Sequence, residues 1–394
     1  MDSNTFSKKQ TFLFAALCVL ILASFIAVNF TITGNFEGLF LLRGTDGYWF
    51  EIKDDLLLNE GRRYIAGIDF EPAKKLIRSL RHIGSPPDGY LSVEWNDKLG
   101  DGYVRNYLPG GRQLLTCLSR FIDDDGKAVK GIFVGGGLPA NVHDDDRLKE
   151  NETGMAYYDG TRWYHLWCNV NEALFSMNRF EPIPPSAWTF LGSRVLNREE
   201  THVLLESVHE AVIDGVPLRI NRYAAFRAGE TYFLLSVYIT NIGSRPVTYS
   251  YQYGDEPWLG NYGSSAGNVG WTADGLKQFV GRLPTGKYTY AGFFDHGNNV
   301  IGEQHRFTDM ADFIEWFGTE RPELYFSNGP YDNPNPPGRP IPLAGNTRFI
   351  GLLWGARTVQ PGETVNYTLA IGMAERDPAT GLPKKPAVDP GSFP

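Results

Sequence analysis

Cysteine is scarce, with three in 394 residues, at Cys18, Cys117 and Cys168. None falls in a C-x-x-C pair or beside a histidine cluster, so neither a metal site nor a redox site is indicated. Cys117 and Cys168 have two readings, a disulfide in an extracytoplasmic setting or two buried thiols. Basic residues are outnumbered, 37 Lys and Arg against 45 Asp and Glu, for a net charge of -8. No Lys/Arg-rich arm occurs, and without a dense basic face the chain is not expected to bind nucleic acid. Common catalytic signatures are missing too. VGGGLP at 134–139 lacks the GK[ST] ending of a phosphate loop, and there is no G-x-S-x-G elbow. FIDDDGKAVKG at 121–131 opens like a calcium loop, but Lys127 takes the place of an oxygen ligand and no glutamate closes the pattern. A hairpin turn is expected there. His143 precedes Asp144, Asp145 and Asp146, yet consecutive side chains point different ways, so this reads as a solvated acidic loop. No cofactor and no metal are expected.

Long apolar runs are confined to residues 11–30, TFLFAALCVLILASFIAVNF, which have the length of a membrane-spanning helix. Lys8 and Lys9 precede the run and the next basic residue is Arg43, so the positive-inside rule puts the short tail in the cytoplasm and the remainder outside. The end of the run lacks the small residues of a cleavage site, which favours a retained signal anchor over a cleaved signal peptide. The expected location is therefore single-pass and membrane-anchored, with a periplasmic or surface-exposed C-terminal part. Within DFEPAKKLIRSLRHIG (69–84), Pro72 suits a first helical position and Gly84 a stop. Leu76, Ile77, Leu80 and Ile83 share one face, predicting a short amphipathic helix over 72–83. Its basic face suits either solvent or anionic lipid.

What the chain has in abundance is aromatic side chains (14%) and glycine (44 residues), arranged mostly as alternating strands. Residues 201–229 read as a hairpin turning at Asp214-Gly215, one of the strongest short turn signals. Residues 231–254 read as a second hairpin through Gly-Ser-Arg-Pro, and 348–374 as a third through Gln360-Pro361-Gly362-Glu363. The expected class is mainly β, a large antiparallel sandwich preceded by one transmembrane helix and a short amphipathic helix. The expected domains are a tail and anchor (1–32), a small N-terminal subdomain (33–110), the sandwich (111–376) and a C-terminal tail (377–394) too rich in proline and glycine to pack, extended or disordered.

Residues 250–271, SYQYGDEPWLGNYGSSAGNVGW, combine aromatics with adjacent carboxylates. Sugars present C–H faces that stack on rings and hydroxyls that bond carboxylates and amides, so this mixture suits a glycan site. The expected binding residues are Tyr253, Trp258, Tyr262 and Trp271, joined by Asn328 and Tyr331 from YFSNGPYDNPNPPG (325–338). Glu256 and Asp255 are the candidate catalytic pair, Asp255 raising the pKa of Glu256 by like-charge repulsion. A second hairpin around Asp159-Gly160 brings Tyr157, Tyr158, Trp163, Tyr164, His165 and Trp167 together. The competing reading is that these rings fill the core.

Asn241 with Pro246, Gly254-Asp255-Glu256-Pro257-Trp258, and Pro361-Gly362-Glu363 together resemble the second half of the galactose-mutarotase-like β-supersandwich, the fold of aldose 1-epimerases, over about 201–375. The resemblance implies a supersandwich and a carbohydrate ligand. In that family a histidine before the proline acts as acid, where this chain has Glu256. The family's basic glutamate falls where this chain reads Ser327-Asn328-Gly329-Pro330. Ring opening needs both an acid and a base, so mutarotation is not expected. Glycoside hydrolysis would need a partner carboxylate from elsewhere, such as Glu303, Asp295 or Asp332. The expected function is binding or modification of an envelope or surface carbohydrate, the alternative being a non-enzymatic assembly protein that uses the sandwich for protein contacts.

Overall fold

The computed structural model describes residues 89–119, 128–136, 154–178, 181–260, 267–284, 286–296, 307–329, 341–342 and 348–390. The apolar run 11–30 and the expected helix 72–83 lie outside them. Among the described residues no helix is long and apolar enough to cross a membrane.

Among the described residues twenty-two strands follow one another. They begin with β1 (Tyr90–Asn96), β2 (Asp101–Tyr107), β3 (Gln113–Leu118), β4 (Met155–Tyr158), β5 (Trp163–Val170), β6 (Ala173–Ser176) and β7 (Pro182–Ile183). Then come β8 (Thr189–Arg198), β9 (His202–Ile213), β10 (Val216–Arg227), β11 (Tyr232–Asn241), β12 (Val247–Gly260), β13 (Asn268–Thr272), β14 (Gly275–Lys277) and β15 (Phe279–Leu283). The last are β16 (Tyr290–Asp295), β17 (Ala311–Phe317), β18 (Glu323–Ser327), β19 (Ile341–Pro342), β20 (Phe349–Val359), β21 (Thr364–Arg376) and β22 (Pro383–Lys384). They form two antiparallel sheets, which bears out the mainly β expectation. The larger sheet runs β1-β2-β3-β4-β5-β12-β20-β18-β15-β19, with β6 and β7 beside β12. The smaller runs β14-β13-β16-β17-β21-β11-β10-β9-β8, with β22 on β21.

Alternation explains the layers. In β12, Tyr249, Tyr251 and Tyr253 face the inter-sheet core, joined there by Leu218, Ile220, Val237 and Ile239 from the smaller sheet. The intervening residues of each strand face outward. A separate apolar cluster on the outer side of the smaller sheet includes Leu234, Trp271, Phe313 and Tyr232. On the outer side of the larger sheet, Leu115, Cys117 and Ala156 pack with Tyr103 and Trp163. Cys117 and Cys168 are buried thiols not joined in a disulfide.

The β9–β10 hairpin forms as expected, with Ile213 opposite Val216 and both Asp214 (φ 51°) and Gly215 (φ 76°) in the left-handed region that a type I′ turn requires. The other two expected hairpins are not hairpins. β11 lies in the smaller sheet and β12 in the larger, and likewise β21 and β20, so each pair is joined by an arch that crosses between sheets. Asn241 stitches the arches together. Its Nδ2 donates to the carbonyls of Arg245 and Val359, both at 2.9 Å, and its Oδ1 accepts from the Gly243 N–H at 2.9 Å. Its backbone N–H donates to the Glu363 carbonyl at 3.0 Å and its carbonyl accepts from Gly362 at 2.8 Å.

The Pro/Gly-rich tail is extended, as one of the two expectations had it, but it packs, docking through residues 377–390. β22 pairs with β21, Lys385 Nζ lies 2.7 Å from Glu315 Oε2, and Val388 packs on the outer cluster of the smaller sheet. Proline and glycine prevent a helix there, but they do not prevent an extended segment from lying on a finished sheet.

Candidate functional site

β12 changes partner partway along its length. Residues 249–252 pair with β6, and from Asp255 onward the strand pairs with β5 through two register shifts. Asn171 and Glu172 form the corner between β5 and β6, where the Asn171 N–H donates to the Gly254 carbonyl at 2.7 Å. Such bulged, partner-switching stretches re-aim side chains.

On the outer face of this stretch Trp258 meets His165. Their ring centroids lie 6.2 Å apart at an interplanar angle of 71°, edge to face. His165 is paired in register with Ala156 of the outer cluster, which fixes the side on which this contact lies. Glu256, two residues before Trp258, is half-buried. Across the sheet, Gly254 pairs with Gly351 and Gly351 with Tyr325. Two neighbouring glycines lower the surface here, and the Tyr325 ring covers it. A Cβ on Gly351 would fall 2.0 Å from the Tyr325 ring, so only glycine admits the tyrosine in this position. The face thus carries the buried rings of His165, Trp258 and Tyr325, the last lying over the two glycines, and the half-buried carboxylate of Glu256.

The other expected residues go elsewhere. Tyr253 is fully buried in the core between the sheets. Asp255 is also fully buried, and as the neighbour of Glu256 on a strand it points to the opposite face. Burial pushes its carboxyl well above the usual range, helped by the like charges of Asp312 and then Glu256, while the Cys168 and Glu256 backbone N–H groups pull it down. Asp312, buried on β17, is likewise pushed up by burial although its Oδ1 accepts the Phe293 N–H at 2.5 Å. Trp271 belongs to the other sheet, in its outer cluster, with its Nε1 donating to the Asp312 carbonyl at 3.0 Å. Asn328 is exposed at the end of β18. Tyr262 and Tyr331 lie outside the described residues, as do Glu303 and Asp332. Asp295 is engaged in holding chain, its Oδ2 accepting from the backbone and hydroxyl of Thr308 at 2.8 and 2.7 Å and its Oδ1 from Asn268 at 3.2 Å.

Beneath the corner sits a buried ion pair that the sequence did not single out. Arg222 and Glu172 are both fully buried, with Arg222 Nη1 donating to Glu172 Oε1 at 2.5 Å. Arg222 Nε donates to the Ile132 carbonyl at 2.8 Å, its guanidinium lies 4.0 Å from the Phe133 ring centre, and the Tyr251 hydroxyl donates to the same Glu172 oxygen at 2.9 Å. Burial raises the Glu172 pKa, with Arg222 and Tyr251 opposing. The pair joins β10 of one sheet to the corner of the other and so braces the stretch that presents Glu256 and Trp258. His209 packs edge-on to Phe133 and its Nε2–H donates to the Lys130 carbonyl at 2.8 Å. Burial lowers its pKa to about 4, with Arg222 adding to the effect and the Lys130 carbonyl opposing it.

No protein-family model matches the chain, and no curated protein sequence matches it. Among solved structures, a galactose mutarotase-like protein from Clostridium acetobutylicum shares 10% identity over 74% of this chain and 100% of its own, with a TM-score of 0.40. A candidate aldose 1-epimerase from Klebsiella pneumoniae shares 10% identity over 74% of this chain and 88% of its own, at 0.35. An α-galactosidase from Geobacillus stearothermophilus shares 9% over 72% of this chain and 41% of its own, at 0.31. Each of these is a weak similarity, at 10% identity or less and a TM-score of 0.40 or less.

Proposed function

We propose that the protein binds a carbohydrate on the outer face of its larger sheet, where β5 and β12 meet. The observation that carries this reading is the edge-to-face pair of Trp258 and His165 beside Glu256, at a bulged stretch next to the Gly254–Gly351 floor. The half-buried Glu256 offers a carboxylate to sugar hydroxyls and the rim of Trp258, 9% exposed, a ring edge to C–H groups, with the buried His165 packed against that ring. Asp255 faces the core, so an adjacent Asp–Glu pair does not act jointly on a substrate. Any proton transfer would fall to Glu256, the half-buried titratable side chain of this face, since His165 and Tyr325 are buried. In this reading residues 11–30 anchor the protein in a membrane and the glycan belongs to the envelope or cell surface.

The test is calorimetric titration of the full chain with glycans selected on an array, repeated with Glu256→Gln, His165→Ala and Trp258→Phe. Each substitution is expected to weaken binding by roughly 1–3 kcal/mol while melting stays cooperative. A wild-type protein that binds no arrayed glycan, or variants that bind as it does, would refute the assignment and favour a protein-contact role. Protease added outside intact cells is expected to digest the sandwich, and a mature N-terminus beyond residue 30 would overturn the anchor.

A further inference from the structure

We propose that the outer face of the smaller sheet is a second, separate carbohydrate-binding surface, built for an uncharged polysaccharide chain. A groove of about 560 Å³ lies there, lined by Leu204, Asn221, Tyr223, Ala225, Leu234, Ser236, Tyr238, Thr368 and Pro390. None of these side chains is charged.

The sheet register arranges the lining in rows that run across β9, β10, β11 and β21. One row is apolar, with the half-buried Leu204 opposite Ala225 and Ala225 opposite Leu234, the last two buried in the outer cluster. The next is hydroxylated, with Tyr223 opposite Ser236 and Ser236 opposite Thr368, the last two hydroxyls 3.3 Å apart. The third pairs Asn221 with Tyr238. Tyr223 and Tyr238 stand edge to face with centroids 5.7 Å apart at 83°, and Tyr238 is 36% exposed. The Tyr223 hydroxyl donates to Glu206 Oε1 at 2.8 Å, and the other oxygen of Glu206 accepts Arg194 Nε at 2.6 Å. The ring is therefore held upright, and the carboxylate that holds it is neutralised at the groove's edge. Arg219 and Glu210 form a further ion pair on the same sheet at 2.6 Å.

An apolar row beside a hydroxyl row and an amide row, with the exposed Tyr238 ring among them, matches the two surfaces of a sugar ring, its C–H face and its hydroxyl rim. A lipid chain or an amphipathic helix would require an unbroken apolar floor, and the hydroxyl row interrupts it. A second copy of the chain would require a wide apolar patch. The exposed large hydrophobic residues Leu191, Leu196, Val212 and Ile242 are not among the groove's lining residues. The neutrality of the lining argues for a neutral glycan over an acidic one.

Affinity electrophoresis of the full chain through gels containing laminarin, hydroxyethyl cellulose, galactomannan or, as the acidic probe, polygalacturonate tests this. Retardation by at least one neutral polymer is expected. Tyr238→Ala should reduce it at least tenfold and Asn221→Ala severalfold, with melting temperatures close to wild type because both positions lie on the open face. His165→Ala separates this surface from the β5–β12 face. Retardation that survives His165→Ala and is lost in Tyr238→Ala supports the groove even if the first assignment fails. Retardation lost in His165→Ala and retained in both groove variants overturns it, as does no retardation by any neutral polymer or retardation by polygalacturonate alone.

Discussion

Replacing Arg222 with methionine is the sharpest test of how the corner of the larger sheet is held. The substitution keeps most of the buried volume and removes the charge. It deprives Glu172 of its 2.5 Å partner and the Ile132 carbonyl of its 2.8 Å donor, leaving a carboxyl group with no exposed surface. Removing one member of a buried pair costs about 3–5 kcal/mol, whereas replacing both members by apolar groups is often neutral. For a domain of this size that corresponds to a drop on the order of 10 °C in melting temperature. Glu172→Leu alone should cost a similar amount by stranding the guanidinium, and the double variant Arg222→Met/Glu172→Leu should cost less than the two singles together. The loss should also depend on pH. Burial already raises the Glu172 pKa and Arg222 holds it down, so without Arg222 the carboxyl is raised further. A raised carboxyl pKa gives stability that is present at low pH and lost as pH rises, so the deficit of Arg222→Met should grow from pH 5 to pH 8. Urea unfolding of wild type, both singles and the double at these two pH values measures it. A single variant within about 1 kcal/mol of wild type at pH 8, or singles whose losses simply add in the double, would refute the reasoning.

Asp255→Asn is expected to stabilise the protein increasingly as pH rises above about 4, the unfolded aspartate value, because the raised folded pKa of Asp255 costs stability when the group must ionise; denaturant midpoints at pH 5 and 8 check it. His209 is held neutral with a pKa of about 4, so stability should fall as pH drops from about 6.5 toward 4, by about 2 kcal/mol at pH 5, and His209→Gln should flatten that fall in the same assay. Asn241→Ala removes three hydrogen bonds and strands the Val359 carbonyl, so a loss of about 2–3 kcal/mol is expected by thermal and urea unfolding; a loss below 0.5 kcal/mol would show that Asn241 does not stitch the arches.

Strand positions, the Asp214-Gly215 hairpin and the mainly β class were legible in the sequence because period-two alternation and left-handed turn residues are local signals. The mixture of aromatic rings and carboxylates in 250–271 was legible as well, as was Glu256 near Trp258. Which of those residues could share a site was not. Alternation sends Tyr253 and Asp255 inward and Glu256 outward, but the direction of inward depends on which sheet lies behind the strand. His165 and Tyr325 reach the neighbourhood of Trp258 through pairings with β4, β5, β18 and β20 that lie far away in the chain. Arg222 carried no signal, since an isolated arginine in an alternating strand normally faces solvent. The two arches make the limit plain. A Gly-Ser-Arg-Pro or Gln-Pro-Gly-Glu turn between alternating strands is compatible with a hairpin and with a crossing between sheets, because both reverse the chain over the same few residues. The choice between them was settled by non-local pairing, β11 with β10 and β21, β12 with β20, β5 and β6, and by the Asn241 amide that satisfies the backbone groups the crossing leaves open. Local sequence determined where the chain is extended and where it turns; only the tertiary structure decided which sheet each strand joins, and with it which side chains can meet a ligand.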